Sequence, residues 1–210
     1  MADKSYKFWN RMARRYANVE IADQGAYLEK LRVMKEHLDH RANVLEIGCG
    51  TGSTALLLAP HTRHYLATDY SLKMIEIGRA KAQAAAMPNL EFQCLAVDEL
   101  DIVDDSLDVV IAMSISHLLK DWQGALARAF AMLKPGGVLF SSTACIADMN
   151  SRYKHLAPLS GFLNLLPVLT VFSQEELLQG MADAGFKIFH QWRPGDDKAI
   201  FIAAVKPPQT

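Results

Sequence analysis

The residues of this chain best suited to chemistry are Glu46 and three alternate glycines, Gly48, Gly50 and Gly52, followed by a second carboxylate at Asp69 and a histidine at His117. A glycine lacks the Cβ that holds backbone N–H groups away from a bound molecule, and a strand reversing into a helix often requires positive φ. A ligand is therefore expected on this turn. Its spacing differs from the dinucleotide fingerprint G-x-G-x-x-G, because the third glycine comes one residue early and Ser53 fills the later slot. No lysine of a phosphate-binding loop follows. Glu46 would repel a phosphate and suit a cationic ligand.

The elements that must position these groups follow from periodicity and turn signals. Val44–Ile47 reads as a buried strand and Ser53–Ala59 as the opening of a helix. Tyr65–Thr68 reads as a second strand that ends in Asp69, before a helix that starts near Ser71 and covers Leu72–Ala86. At that position a βαβ unit presents a carboxylate to ribose hydroxyls; the alternative is an acid favoured by the helix dipole. Leu90–Leu95 alternates as a third strand. Asp108–Met113 is an apolar run suited to a central parallel strand, and it delivers Ser114–His117 to the ligand-binding edge. A helix from Asp121 to Met132, a break at Lys134–Gly137 and a strand from Val138 to Ser142 come next. Ser173 and Glu176 form a capping box on a helix reaching Ala184. Phe186–Trp192 and Ala199–Val205, joined at Pro194–Asp197, read as a hairpin. Two amphipathic helices, Ser5–Tyr16 and Gly25–Leu38, precede the first strand. Such alternation implies a parallel sheet covered on both faces, with the hairpin adding one antiparallel strand.

The E-x-G-x-G-x-G pattern at 46–52, the downstream Asp69 and the helix, K-P-G-G, strand succession at 121–142 resemble the class I S-adenosylmethionine-dependent methyltransferases, over nearly the whole chain from Val44 onward. The resemblance implies an α/β fold: a three-layer, Rossmann-like, seven-stranded and mostly parallel sheet with N-terminal helices. It implies one domain, with a helical cap at 1–42, a cofactor core at 43–145, an apolar substrate segment at 146–172 and a closing helix and hairpin at 173–210. The cofactor implied is S-adenosyl-L-methionine, the product S-adenosyl-L-homocysteine, with no metal. Glu46, Gly48, Cys49, Gly50 and Gly52 would form its turn and Asp69 would hold its ribose. Tyr70 and Met74 would face the adenine, core packing being the competing reading for Met74. The family's adenine-contacting aspartate falls on Ala96, a departure that shifts this role to a neighbouring carboxylate, Asp98 or Glu99, and to the Val97 N–H. Met113 and Ser114, at the end of the fourth strand, would also bind the cofactor. Because N-terminal helices of the family fold over the cofactor, Trp9, Tyr16 and Tyr27 are candidates for a cover, against ordinary core packing. Methyl transfer is an in-line displacement that needs a base only when the acceptor must lose a proton. His117 is the nominee, with a loop-capping role as the alternative.

Composition bounds the remaining possibilities. The chain has 210 residues, half of them hydrophobic, which fits one domain with a substantial core. No apolar run has membrane-spanning length and Met1–Lys4 lacks a signal-peptide design, so a cytoplasmic protein is expected. A net charge of −1 provides no basic field for nucleic acid. Lys4, Lys7, Arg11, Arg14 and Arg15 read as the solvated face of a helix. The three cysteines lie far apart and read as reduced hydrophobes, with no zinc-ligand spacing nearby. The sequence after Met113 lacks the Pro-Pro-aromatic pattern of enzymes that methylate DNA bases. A long connection, Ala147–Phe172, is rich in leucine and includes Phe162. It reads as an apolar wall over a small, partly hydrophobic acceptor, with an extra core layer or a dimer or membrane contact as alternatives. A nucleotide-dependent oxidoreductase and a cofactor-binding protein without methyl transfer are the competing functions. The oligomeric state stays open.

Overall fold

A computed structural model describes residues 5–149 and 167–208. Seven strands form one sheet in the order β3-β2-β1-β4-β5-β7-β6. They are β1 (Asn43–Ile47), β2 (His64–Thr68), β3 (Leu90–Gln93), β4 (Leu107–Met113), β5 (Leu133–Thr143), β6 (Lys187–Trp192) and β7 (Ile200–Val205). The first five run parallel, and β7 lies antiparallel between β5 and β6. The chain's direction of travel across the sheet reverses between β1 and β4, which opens a crevice at their carboxyl ends.

Among the described residues six helices flank the sheet: α1 (Tyr6–Ala17), α2 (Gln24–Lys35), α3 (Ser53–Leu58), α4 (Leu72–Ala84), α5 (Trp122–Met132) and α6 (Gln174–Asp183). Side chains cap the N-termini of α2, α4, α5 and α6. Asp23 accepts from Ala26 N, Ser71 from Met74 N and Asp121 from Gly124 N, and Ser173 and Glu176 satisfy each other's backbone as a capping box. Successive residues of each strand feed opposite cores. Val44, Ile111 and Phe140 pack with α2, α3 and α4 through Met34, Leu58 and Ile75. Leu45, Val110 and Ile202 pack with α5 and α6 through Leu126, Trp122 and Leu177.

Several boundaries depart from the sequence reading, among them the end of α2 at Lys35 rather than Leu38, and three have a visible local cause. α4 ends at Ala84 rather than Ala86, because Ala86 adopts a left-handed φ of 50° and the N–H groups of Ala86 and Met87 turn back to Gln83 and Ala82. β3 stops at Gln93, whose carbonyl accepts from Asp69 N, so Cys94 and Leu95 lie beyond the strand. The Lys134–Gly137 stretch does not separate helix from strand but lies within β5. The ladder with β4 passes from Leu107↔Leu133 to Val109↔Val138, and the loose residues are tied to the neighbouring chain by Gly136 N to Lys206 O (2.8 Å) and Lys206 N to Gly137 O (2.9 Å). Phe162 and most of the expected apolar wall lie outside the described residues.

The glycine turn packs against α4 through Phe92. A Cβ on Gly78 would stand 2.5 Å from the Phe92 ring, and one on Gly52 equally close. Gly78→Ala would gain about 1 kcal/mol of helix propensity but overpack by ~1–3 kcal/mol. We expect a lower urea midpoint for this variant, recovered when Phe92→Leu is added.

Candidate functional site

The turn between β1 and α3 is tied to its surroundings at each step. Cys49 N donates to Thr68 O (2.9 Å), Gly50 N to Asp69 Oδ2 (3.0 Å) and Gly52 N to Cys49 O (3.0 Å). Lys81 Nζ donates to the carbonyl and hydroxyl oxygens of Thr51, both at 3.2 Å. All three glycines take positive φ, but their surroundings differ. A Cβ on Gly48 would meet Ile115 at 2.7 Å and one on Gly52 would meet Phe92, so those two are required by the protein's own packing. Gly50 has open space apart from Tyr16, 3.4 Å from its virtual Cβ. It is the one glycine of this turn whose Cβ position meets only ordinary van der Waals contact.

Asp69 joins the two halves of the crevice. Besides Gly50 N, its carboxylate accepts from Ser71 N (2.8 Å), the N-cap residue of α4. Burial raises its pKa, while these two N–H groups hold it down. Asp69 also borders a cavity of about 650 Å³, with Gly48 and Tyr70 beside it. That size lies inside the ~300–1,000 Å³ typical of small-molecule and cofactor sites. Ala96, Val97 and Asp98 form a second wall, and Ile115, Leu118 and Leu119 a third. Glu99 folds back so that its Oε2 accepts from Ala96 N at 2.9 Å, whereas Asp98 borders the cavity.

Glu46 departs from expectation. Instead of presenting a negative charge at the strand end, it is 2% exposed and its Oε2 accepts from the Tyr65 hydroxyl at 2.8 Å. Desolvation pushes its pKa to about 8, with a further rise from Asp69, so the folded protein holds it protonated at neutral pH. Met74 is buried in the first turn of α4 and does not border the cavity. Cys49 is a buried small hydrophobe whose thiol pKa burial raises well above the ordinary value.

The first helix lies over the turn. Tyr16 stacks edge-on with Trp9 at 6.2 Å. Desolvation raises the Tyr16 phenol pKa, as do the Asp69 and Glu46 carboxyl groups, although the residue is half-exposed. Asn10 Oδ1 accepts from Ser71 Oγ (2.8 Å) and Lys73 N (3.0 Å), and Ser5 Oγ accepts from Val168 N (3.3 Å). Tyr27 reaches Thr54 Oγ1 at 3.2 Å and packs into the core beside α3.

Past β4, Ser114 holds a positive φ of 58° and donates to Ser142 O at 2.6 Å. Neither Ser114 nor the half-buried Met113 borders the cavity. His117 does not itself border the cavity, although Ile115 and Leu118 on either side of it do. Its Nδ1 is 3.0 Å from Thr143 Oγ1, which also accepts from His117 N at 3.3 Å. Burial lowers its pKa to about 4, leaving a neutral imidazole. The end of the apolar segment seals this region: Thr170 N donates to His117 O (2.8 Å) and Thr170 Oγ1 to Leu119 O (2.7 Å).

Sequence reasoning missed the Thr143 partner of His117, the Ile115–Leu119 wall and Lys30, whose Nζ donates to Ser142 Oγ at 2.8 Å. The available signal for Lys30 was its place three residues after Tyr27, on the inward face of a helix. Among the described residues, no cluster of three or more His, Cys, Asp or Glu side chains has metal-binding geometry, and no helix is long and apolar enough to cross a membrane.

The methyltransferase-domain family matches residues 44–137. The chain is 28% identical over 131 residues to YcgJ, an uncharacterized methyltransferase of Bacillus subtilis, covering 61% of this chain and 51% of that one. It is 32% identical over 117 residues to a ubiquinone biosynthesis O-methyltransferase of Nitrobacter winogradskyi, covering 54% of this chain and 41% of that one. The chain thus spans about half the length of these curated relatives. An S-adenosylmethionine-dependent methyltransferase of Mesorhizobium loti shares the fold with a TM-score of 0.72 at 20% identity, over 87% of this chain and 99% of that one.

The elevated Glu46 pKa makes the native state bind more protons than the unfolded chain between the ordinary value of 4.5 and about 8. Its contribution is full at low pH and is lost as pH rises through that window. Glu46→Gln removes this loss. Urea titrations are expected to show the variant gaining on the wild type as pH goes from about 5 to 8; a pH-independent difference would refute the protonated assignment.

Proposed function

Because residues 44–137 match the methyltransferase-domain family and the fold is that of a solved S-adenosylmethionine-dependent methyltransferase, we propose that the protein transfers a methyl group from S-adenosylmethionine to a small, partly hydrophobic acceptor. The observation that supports this most directly is Asp69, which borders the cavity while its carboxylate fixes the one glycine whose Cβ position is open. The residues present fit the cofactor. Asp69 has acceptor capacity left for ribose hydroxyls beyond its two backbone N–H donors. Tyr70 and Val97 border the space for a flat base, and Asp98 supplies the acceptor for its amino group in place of the missing carboxylate at Ala96. Gly48 and Gly50 give the amino-acid portion its close approach, and Tyr16 covers it.

When bound, S-adenosylmethionine supplies a methyl activated by a sulfonium for in-line displacement. The chain's own residues then hold the acceptor in line and exclude water. Residues 1–42 act as the cover, 43–145 as the cofactor core, 146–172 as the acceptor wall and 173–210 as the closing layer. Val168 meets Ser5 and Thr170 meets His117, contacts that support a wall beside the strand ends. His117 takes the acceptor's proton: its Nδ1 faces Thr143, and among the described residues Nε2 has no hydrogen-bond partner. An oxygen acceptor agrees with this need for a base and with the O-methyltransferase relative.

Calorimetry with S-adenosylmethionine, S-adenosylhomocysteine and NAD tests the reading; binding of NAD alone would overturn it. Asp69→Ala should weaken cofactor binding by about 1.5–3 kcal/mol and also destabilise the turn. Removal of a general base typically costs ~10²–10⁴-fold in rate, so His117→Ala should reduce kcat on that scale at unchanged cofactor affinity. Wild-type kcat should show no titration of His117 between about pH 5 and 8, since burial keeps its pKa near 4.

A further inference from the structure

Lys30 is a half-buried cation that forms no ion pair among the described residues. Its Nζ donates to the neutral Ser142 hydroxyl at 2.8 Å, and among the described residues no carboxylate lies within ion-pair distance. Burial lowers its pKa; the more distant Asp23 opposes this only weakly and spends Oδ1 on Ala26 N. An ammonium held out of water beside a neutral partner is under-compensated, and the group that corrects this is an anion.

Its location points to the acceptor. Ser142 stands opposite Met113 in the β4–β5 ladder, and its carbonyl anchors the strained Ser114. On the same helix, Tyr27 reaches the first turn of α3, directly after the glycines. On β5, Ser142 presents Lys30 on one face, and the next residue, Thr143, holds His117 on the other. The cation and the base therefore flank the end of one strand.

We propose that Lys30 binds an anionic oxygen of the methyl acceptor, so that the substrates are small apolar acids, with a carboxylate on Lys30. This places the acid group by the methyltransferase reading of the site, but the charge preference can be measured without turnover. Binding of benzoate, 4-hydroxybenzoate, cinnamate and hexanoate, each against its methyl ester, is followed by ligand NMR on the wild type, Lys30→Met and Lys30→Arg, with S-adenosylhomocysteine present. Wild-type protein is expected to favour one or more acids over their esters. From the usual strength of a charged hydrogen bond, Lys30→Met should weaken acid binding about ten- to a hundredfold and leave the esters unchanged, while Lys30→Arg keeps most of the preference. A merely structural lysine would not move the acid-to-ester ratio. Equal or absent binding of acids and esters by the wild type, or a ratio unchanged in Lys30→Met, overturns the proposal. Failure of S-adenosylhomocysteine itself to bind, read separately by calorimetry, would count against the methyltransferase reading and not against the charge preference.

Discussion

The site depends on one carboxylate that accepts two backbone N–H groups from different elements. Asp69, at the tip of β2, fixes Gly50 in the turn after β1 and Ser71 at the head of α4. Either bond alone would steady one loop. Together they set the distance between two strand ends, and with it the width of the crevice. The burial that raises the pKa of Asp69 is the same burial that makes its hydrogen bonds strong, because water is not there to compete.

Around that carboxylate, and separately at the end of β5, the protein shifts ionisable groups toward neutrality. Glu46 is pushed up, His117 and Lys30 are pushed down and the Tyr16 phenol is raised, in each case chiefly by desolvation. A site of this kind responds strongly to charge brought in by a ligand, since little solvent screens it. It also leaves His117 a neutral imidazole at neutral pH.

Much of the framework was legible in the chain. Strand and helix order follow from runs such as Asp108–Met113 and from the Ser173–Glu176 box, because local signals and tertiary packing agree there. The turn and Asp69 were legible for the same reason: few residue types satisfy such a backbone. What periodicity could not show was depth. Glu46 occupies the strand end as expected, but its partner, Tyr65, sits on a neighbouring strand, and only their pairing shows that the carboxyl is shut in. Likewise two of the three glycines serve Ile115 and Phe92, residues far along the sequence. The K-P-G-G stretch was taken as a break because its composition signals a turn; its hydrogen bonds to Lys206 are long-range and leave no local mark.

The first helix is stitched at three points. Asn10 holds the head of α4, Tyr16 lies above Gly50 and Ser5 holds Val168. One helix and the residue that precedes it therefore bridge three loops that the sheet alone leaves independent, so displacing that helix would loosen all three contacts at once.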